Sequence, residues 1–402
     1  MASDDRSPPP DHPHLPVRAA GRARALRDRE TPTKVTMPNG EQAWALSRLD
    51  HVRAMLSDPR FSSNRFLPGF PSLVRERPQE MRERQGRARL SLVMMDPPEH
   101  TAARRGVVGE FTVKRMEALR PRILQIVDEH LDAMLAGPNP ADLVTALSLP
   151  VPSLVICELL GVPYSDHDFF QTNSSTLLSL SAPAEERMAA VDALQAYLGE
   201  LLVHRREHPG DDLLSRQLAK SDDVEELVGL GFLLLLAGHE TTANMISLGV
   251  VALLDHPDQL KAITADPSRT PAAVEELLRY FTIAEFATAR VAREDVELGG
   301  VLIRAGEGVI TLGNAANRDP AAFADAAELD VERGARHHIA FGFGPPQCLG
   351  QNLARLELQI VFDTLFRRVP SLRLAVPADD LQYKDDATIY GLRRLPVTWD
   401  AQ

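Results

Sequence analysis

The chain has 402 residues, 44% of them hydrophobic and 25% charged, the balance of a globular protein rather than a disordered one. A formal net charge of −12 argues against a general nucleic-acid footprint. Its two cysteines, Cys157 and Cys348, are too far apart for a CxxC pair, which excludes a disulfide framework or structural zinc site. No run approaches the roughly 20 apolar residues of a membrane span, and the Pro-rich residues 1–16, expected to be loosely ordered, lack an apolar signal core. A cytoplasmic, monomeric protein with no membrane or nucleic-acid partner is therefore expected. Only five of the 44 basic residues are lysine (Lys34, Lys114, Lys220, Lys261, Lys384).

In chain order, a short strand is predicted over Ala43–Leu46 and a helix opening near Leu49. Residues 61–95 form an Arg-, Pro- and Gly-rich stretch without periodicity, the character of a binding loop. Helical patterning runs from Pro98 to Gly161, broken at Gly137, Pro138 and Pro140, with Ile123, Ile126, Val127, His130, Leu131 and Met134 on one face. A further helix spans about Ala184–His208. After the capping pair Asp222–Asp223 a long helix runs to about Leu254, and its stretch Leu230–Ala237 is apolar on every side. More helices follow Pro257 up to Tyr280. Strands are predicted at Ala287–Val291, Val296–Leu298 and Val309–Leu312, and a last helix over Leu349–Arg368. The fold class is mainly α with small β-sheets, in one domain over residues 1–402.

The sharpest signal is Phe341-Gly342-Phe343-Gly344-Pro345-Pro346-Gln347-Cys348-Leu349-Gly350. Glycines let the backbone take positive φ and approach a flat partner, and unpaired amides at the start of a helix favour a thiolate. Such a thiolate is a nucleophile or a metal ligand. Gln347 and Pro346 supply no general base, whereas haem ligation needs only the sulfur, hydrogen bonds to it and an apolar shield such as Phe341.

With this loop the chain resembles the cytochrome P450 family in its soluble bacterial form. The resemblance covers nearly the whole chain and implies a haem-thiolate monooxygenase: haem b on Cys348, dioxygen as co-substrate, and a lipophilic small-molecule substrate, as in secondary metabolism. Electrons would come indirectly from NAD(P)H, through a reductase and an iron–sulfur ferredoxin. Haem would lie between the long apolar helix and the cysteine-loop helix, touching Ala237, Gly238, Phe341, Gly342 and Gly350.

Three further groups of residues fit the resemblance. Ala237-Gly238-His239-Glu240-Thr241-Thr242 puts polar groups in the middle of the apolar helix, which is costly unless they are used. Gly238 would leave room above the cofactor, the threonine can open a local kink, and Glu240 with Thr241 corresponds to the family's proton relay. Glu276-Leu277-Leu278-Arg279 matches the family's structural pair, with Arg333 as third member. The same spacing at Glu117 and Arg120 reads as a surface pair, since such pairs are common on any helix. His100, Arg104 and Arg290 are the expected partners of the haem propionates. At Pro346 the chain departs from the family, which usually has a propionate-binding histidine there.

The resemblance draws the substrate pocket from Leu90, Val93, Met94, Leu233, Leu236, Ile283, Phe286, Ile389 and Tyr390. Arg104, Arg105, Lys114, Arg115 and Arg355 form either a basic ferredoxin-docking patch or a solvated charge run. Two other functions stay open: oxidative coupling at the same iron, which adds no oxygen, and a haem-binding sensor or carrier, for which a proton relay has no use.

Overall fold

A computed structural model describes residues 29–73, 91–384 and 387–400. The N-terminal 16 residues and Leu90 lie outside the described residues, and of the Phe286 side chain nothing is described.

The central element is the helix Val224–Asp255. Asp223 caps it by accepting the Glu226 amide at 3.0 Å, and Glu225 and Glu226 in the first turn suit its positive end. This central helix packs against Pro150–Leu160, Ala184–Glu207 and Gln351–Arg368, the last being the helix that follows the cysteine loop. From Leu227 to Leu253 it is buried over most of its surface. The uniformly apolar stretch is nevertheless two-sided: Gly231, Leu234 and Leu235 are buried, Leu233 and Leu236 half-buried, and Ala237 exposed. Among the described residues no helix is long and apolar enough to cross a membrane.

Beside the helices lies a five-stranded sheet in the order β1 (Thr33–Thr36), β2 (Gln42–Leu46), β8 (Gly308–Thr311), β5 (Arg290–Ala292), β3 (Phe61–Ser62). Only β2 and β8 run parallel, with Trp44 opposite Val309. A hairpin pairs β6 (Val296–Leu298) with β7 (Val301–Ile303). A third sheet joins β4 (Ala141–Asp142), β10 (Pro396–Thr398) and β9 (Arg373–Leu374), tying the C-terminus to the chain's middle.

Several boundaries differ from the sequence reading. Ala287 and Thr288 belong to a 3-10 turn, Glu285–Thr288, and the strand starts at Arg290, because alanine offers little to a pleated surface. The last helix begins at Gln351 rather than Leu349, since Cys348 to Gly350 still belong to the loop. The helix His167–Leu178 and strands β1, β3, β4, β7, β9 and β10 have no counterpart in the sequence reading.

Candidate functional site

The cysteine loop is closed by the Cys348 amide donating to Phe341 O at 2.8 Å and the Gln347 amide donating to Gly344 O at 3.1 Å. Gly342 and Gly344 have φ of 73° and 71°, so both need glycine. Gly350 has ordinary φ, and an added Cβ there would meet nothing within 4 Å. Cys348 presents accessible surface although protein encloses it, so its sulfur faces an internal hollow. Burial pushes the thiol up; the amides of Gly350 and Gln351 and the charges of Arg104 and Arg355 work against that rise. Cys157, by contrast, is sealed in the core, and burial beside Asp166 and Glu158 raises it to about 12.

Behind the loop sits a network with no motif of its own. Glu275 accepts from Arg355 Nε at 2.5 Å and Nη2 at 3.0 Å, and from buried His338 Nε2 at 3.1 Å. The Ala340 amide donates to His338 Nδ1 at 3.1 Å, which fixes a neutral tautomer. Burial works to raise Glu275, but His338 and Arg355 outweigh it and hold the carboxyl at about 2. The Arg355 guanidinium also lies 4.6 Å from the Phe341 ring centre.

Asp96 fixes the propionate candidates against the sheet. It accepts the Ser63 amide at 2.7 Å and the Ser62 hydroxyl, both at β3, while its carbonyl accepts the His100 amide at 2.9 Å. The helix Glu99–Val107, with His100 and Arg104, is thereby anchored beside β5 and Arg290. Burial and the nearby Arg104 and Arg290 lower His100, leaving a neutral imidazole at neutral pH. Burial also lowers Arg104, and lowers Arg290 to about 10. Among the described residues neither arginine has a carboxylate within 4.0 Å, and Arg290 donates to its neighbour Ala289 O at 2.8 Å.

A buried guanidinium without a carboxylate is costly, and these three side chains suit a dianionic group. An accessible thiol with helix amides aimed at it suits a metal. The residues present therefore fit a haem.

On the central helix, Thr241 is accessible and donates to Ala237 O at 2.8 Å within an uninterrupted helix. Ala237, Leu233 and Thr241 lie four residues apart on the accessible stripe. Gly238 differs from expectation: an added Cβ would lie 2.9 Å from Ile156, so the glycine serves the approach of Pro150–Leu160 rather than room above a cofactor. Nor does the structure join Glu240 to Thr241. Glu240 is buried and ion-paired to Lys384, which also donates to Asn244 Oδ1 at 3.0 Å. Sequence reasoning missed Lys384 because it lies in no motif.

Glu276, Arg279 and Arg333 do come together. Arg279 binds Glu276 through Nε at 2.8 Å and Nη2 at 2.7 Å, and Arg333 Nε reaches Glu276 Oε1 at 3.1 Å. Glu117 and Arg120 form an exposed pair, as expected. Among the pocket candidates, Val93 is exposed, Met94 and Ile389 half-buried, Ile283 and Tyr390 buried, with Tyr390 stacked 5.6 Å from Tyr383. The basic patch is smaller than expected. Arg355 is engaged by Glu275, Arg104 is close to Cys348 and exposed Arg115 is paired to Glu110 at 2.8 Å, leaving Arg105 and Lys114 exposed.

Comparison with known proteins agrees with this geometry. The family model for Cytochrome P450 matches residues 74–370. Pentalenic acid synthase from Streptomyces avermitilis is 51% identical over 379 residues, covering 93% of this chain and 92% of that protein. Vitamin D3 dihydroxylase from Streptomyces griseolus is 49% identical over 386 residues, with 93% and 92% covered. The crystal structure of cytochrome P450 MoxA from Nonomuraea recticatena superposes with a TM-score of 0.88 at 58% identity, over 94% of this chain and 95% of that one. Matched by the family model over residues 74–370 and by these relatives over 93% of its length, the chain belongs to the cytochrome P450 family of monooxygenases.

Proposed function

We propose that the protein is a single-domain haem-thiolate monooxygenase of the cytoplasm that hydroxylates or epoxidises a lipophilic small molecule of secondary metabolism. The observation that carries this reading is Cys348, a thiol turned to an internal hollow with two helix amides and two arginines about it. The substrate class is supported by the relatives named for vitamin D3 and pentalenic acid. Electrons come from NAD(P)H through a ferredoxin reductase and a ferredoxin, for which exposed Arg105 and Lys114 offer a cationic surface.

When bound, haem b supplies the activation of dioxygen. Cys348 would hold it as thiolate, and Phe341 would screen the sulfur. Arg104 and Arg290 would neutralise its carboxylates and neutral His100 would donate a hydrogen bond to one of them, with Ala237 and Gly342 as further contacts. On the substrate side Leu233, Leu236, Met94, Ile283 and Ile389 exclude water. Thr241, donor and acceptor at one oxygen, holds a proton near the reacting atoms, and Glu240 resupplies it.

The haem-loaded protein, reduced under carbon monoxide, should show the strongly red-shifted Soret band of thiolate ligation. Cys348→Ser should lose the band and Cys157→Ser should keep it; the reverse pattern would overturn the assignment. With a reconstituted electron-transfer chain, product mass should increase by one oxygen atom.

A further inference from the structure

Lys384 is one of five lysines, and the fold carries it across 144 residues to the Glu240 carboxylate. The ammonium sits between Glu240 and Asn244 Oδ1, with 16% of its side chain and 9% of Glu240's exposed. In so dry a place the attraction is strong, and it holds the acid on a partner other than Thr241, whose hydroxyl is spent on Ala237 O.

The segment that carries Lys384 also carries Ile389 and Tyr390, two of the residues that the resemblance draws into the substrate pocket. Its two arms are zipped by the Lys384 amide donating to Gly391 O at 2.9 Å and the Arg393 amide donating to Gln382 O at 2.8 Å. Tyr383 stacks on Tyr390 across the same arms at 5.6 Å, and the Tyr390 amide donates to Ile283 O at 3.1 Å. An added Cβ at Gly391 would lie 2.1 Å from Asn244 Oδ1, so this hairpin packs directly on the central helix one turn beyond Glu240. Half-buried Ile389 stands two residues from Gly391.

We propose that Lys384 is a positioning residue that tethers Glu240 to the C-terminal hairpin, so that a substrate pressing on Ile389 releases the acid toward Thr241. The inference rests on the reading of Glu240 and Thr241 as the proton relay. Without substrate the acid stays on Lys384, and proton delivery waits. Movement at Ile389 passes through the zipped arms to Lys384 and Asn244 together. A single lysine thus links pocket occupancy to proton supply and restrains NADPH consumption when no substrate is present.

The test uses the haem-loaded protein with a ferredoxin, its reductase and NADPH. Lys384→Met should raise substrate-free NADPH oxidation and peroxide formation several-fold, and Lys384→Arg should restore the wild-type rate. In a Glu240→Gln background Lys384→Met should have no further effect, since it acts through that carboxylate. Hydrogen exchange, independent of turnover, should show faster exchange at the Lys384 and Arg393 amides in both Lys384→Met and Glu240→Gln. Slowed turnover in Glu240→Gln alongside wild-type rates and wild-type exchange in Lys384→Met would overturn the tether alone. Unchanged turnover in Glu240→Gln would overturn the relay, and the tether with it.

Discussion

Arg279 grips Glu276 with two parallel hydrogen bonds of 2.8 and 2.7 Å, and neither side chain has any exposed surface. Its remaining donors reach the carbonyls of Asn317 and Ala326 at 2.8 Å and of Glu328 at 3.0 Å. One guanidinium therefore fastens the helix Thr270–Phe281 to the loops that lead toward the cysteine. Lysine cannot span these partners, and a buried carboxylate left half-paired is costly. Arg279→Lys should lose about 3–5 kcal/mol of stability in denaturant titration. Arg120→Lys, at the exposed pair of the same spacing, should stay within about 1 kcal/mol of wild type. Equal effects at the two sites would contradict the assignment.

That contrast also shows what the sequence can carry. Spacing alone presented Glu117–Arg120 and Glu276–Arg279 as equals, and only their place relative to the cysteine loop told them apart. The central helix was legible because its capping pair and apolar run are local, and so was the cysteine loop, whose glycines mark positive φ. The partners of Glu240 and Arg355 were not legible. Lys384 and Glu275 come from other parts of the chain, through a hairpin and a helix face whose meeting no local pattern encodes. Gly238 misled because a missing side chain marks a close approach without naming what approaches.

Pro346 takes the place where the family usually has a propionate-binding histidine. It is half-buried in a loop already closed by the Gln347 and Cys348 amides, and it brings no donor. On the proposed reading the cofactor's carboxylates then depend on His100, Arg104 and Arg290. Pro346→His adds a donor to that set, so haem transfer to apomyoglobin should be no faster than from wild type. Markedly faster loss would mean that the loop needs the stiffness of proline more than the carboxylates need a fourth partner.

Glu357 lies on the helix behind the cysteine, buried, with no hydrogen-bond partner for Oε2 among the described residues. Burial pushes its carboxyl up to about 8. In the unfolded chain the same group titrates near ~4.3. A folded value above the unfolded one means that its contribution to stability is complete below the unfolded value and lost as pH rises toward the folded one. Glu357→Gln keeps the shape without the titration. Relative to this variant, the wild type should lose stability between about pH 5 and pH 9, by several degrees in melting temperature. Parallel curves across that range would show that the carboxyl has a partner in solution.

Thr241 is the accessible hydroxyl in the middle of a helix that is buried on its other sides, and its one hydrogen bond returns to Ala237 O. Removing that hydroxyl should cost little stability, because a threonine's back-bond to its own helix adds nothing to the helix. It should leave haem binding and reduction intact, since Cys348, His100, Arg104 and Arg290 lie on other elements. On the proposed reading the variant loses the group that steers protons to the reacting oxygen, and positioned proton transfer is typically worth ~10²–10⁴-fold. Thr241→Ala should therefore still consume NADPH with substrate present but return much of it as hydrogen peroxide. Thr241→Ser keeps a hydroxyl at that position and should recover coupling. The measurement is product formed per NADPH oxidised, with peroxide assayed alongside. Full coupling in Thr241→Ala would place the last proton donor elsewhere, and a hydroxyl of the substrate itself is then the group to remove next.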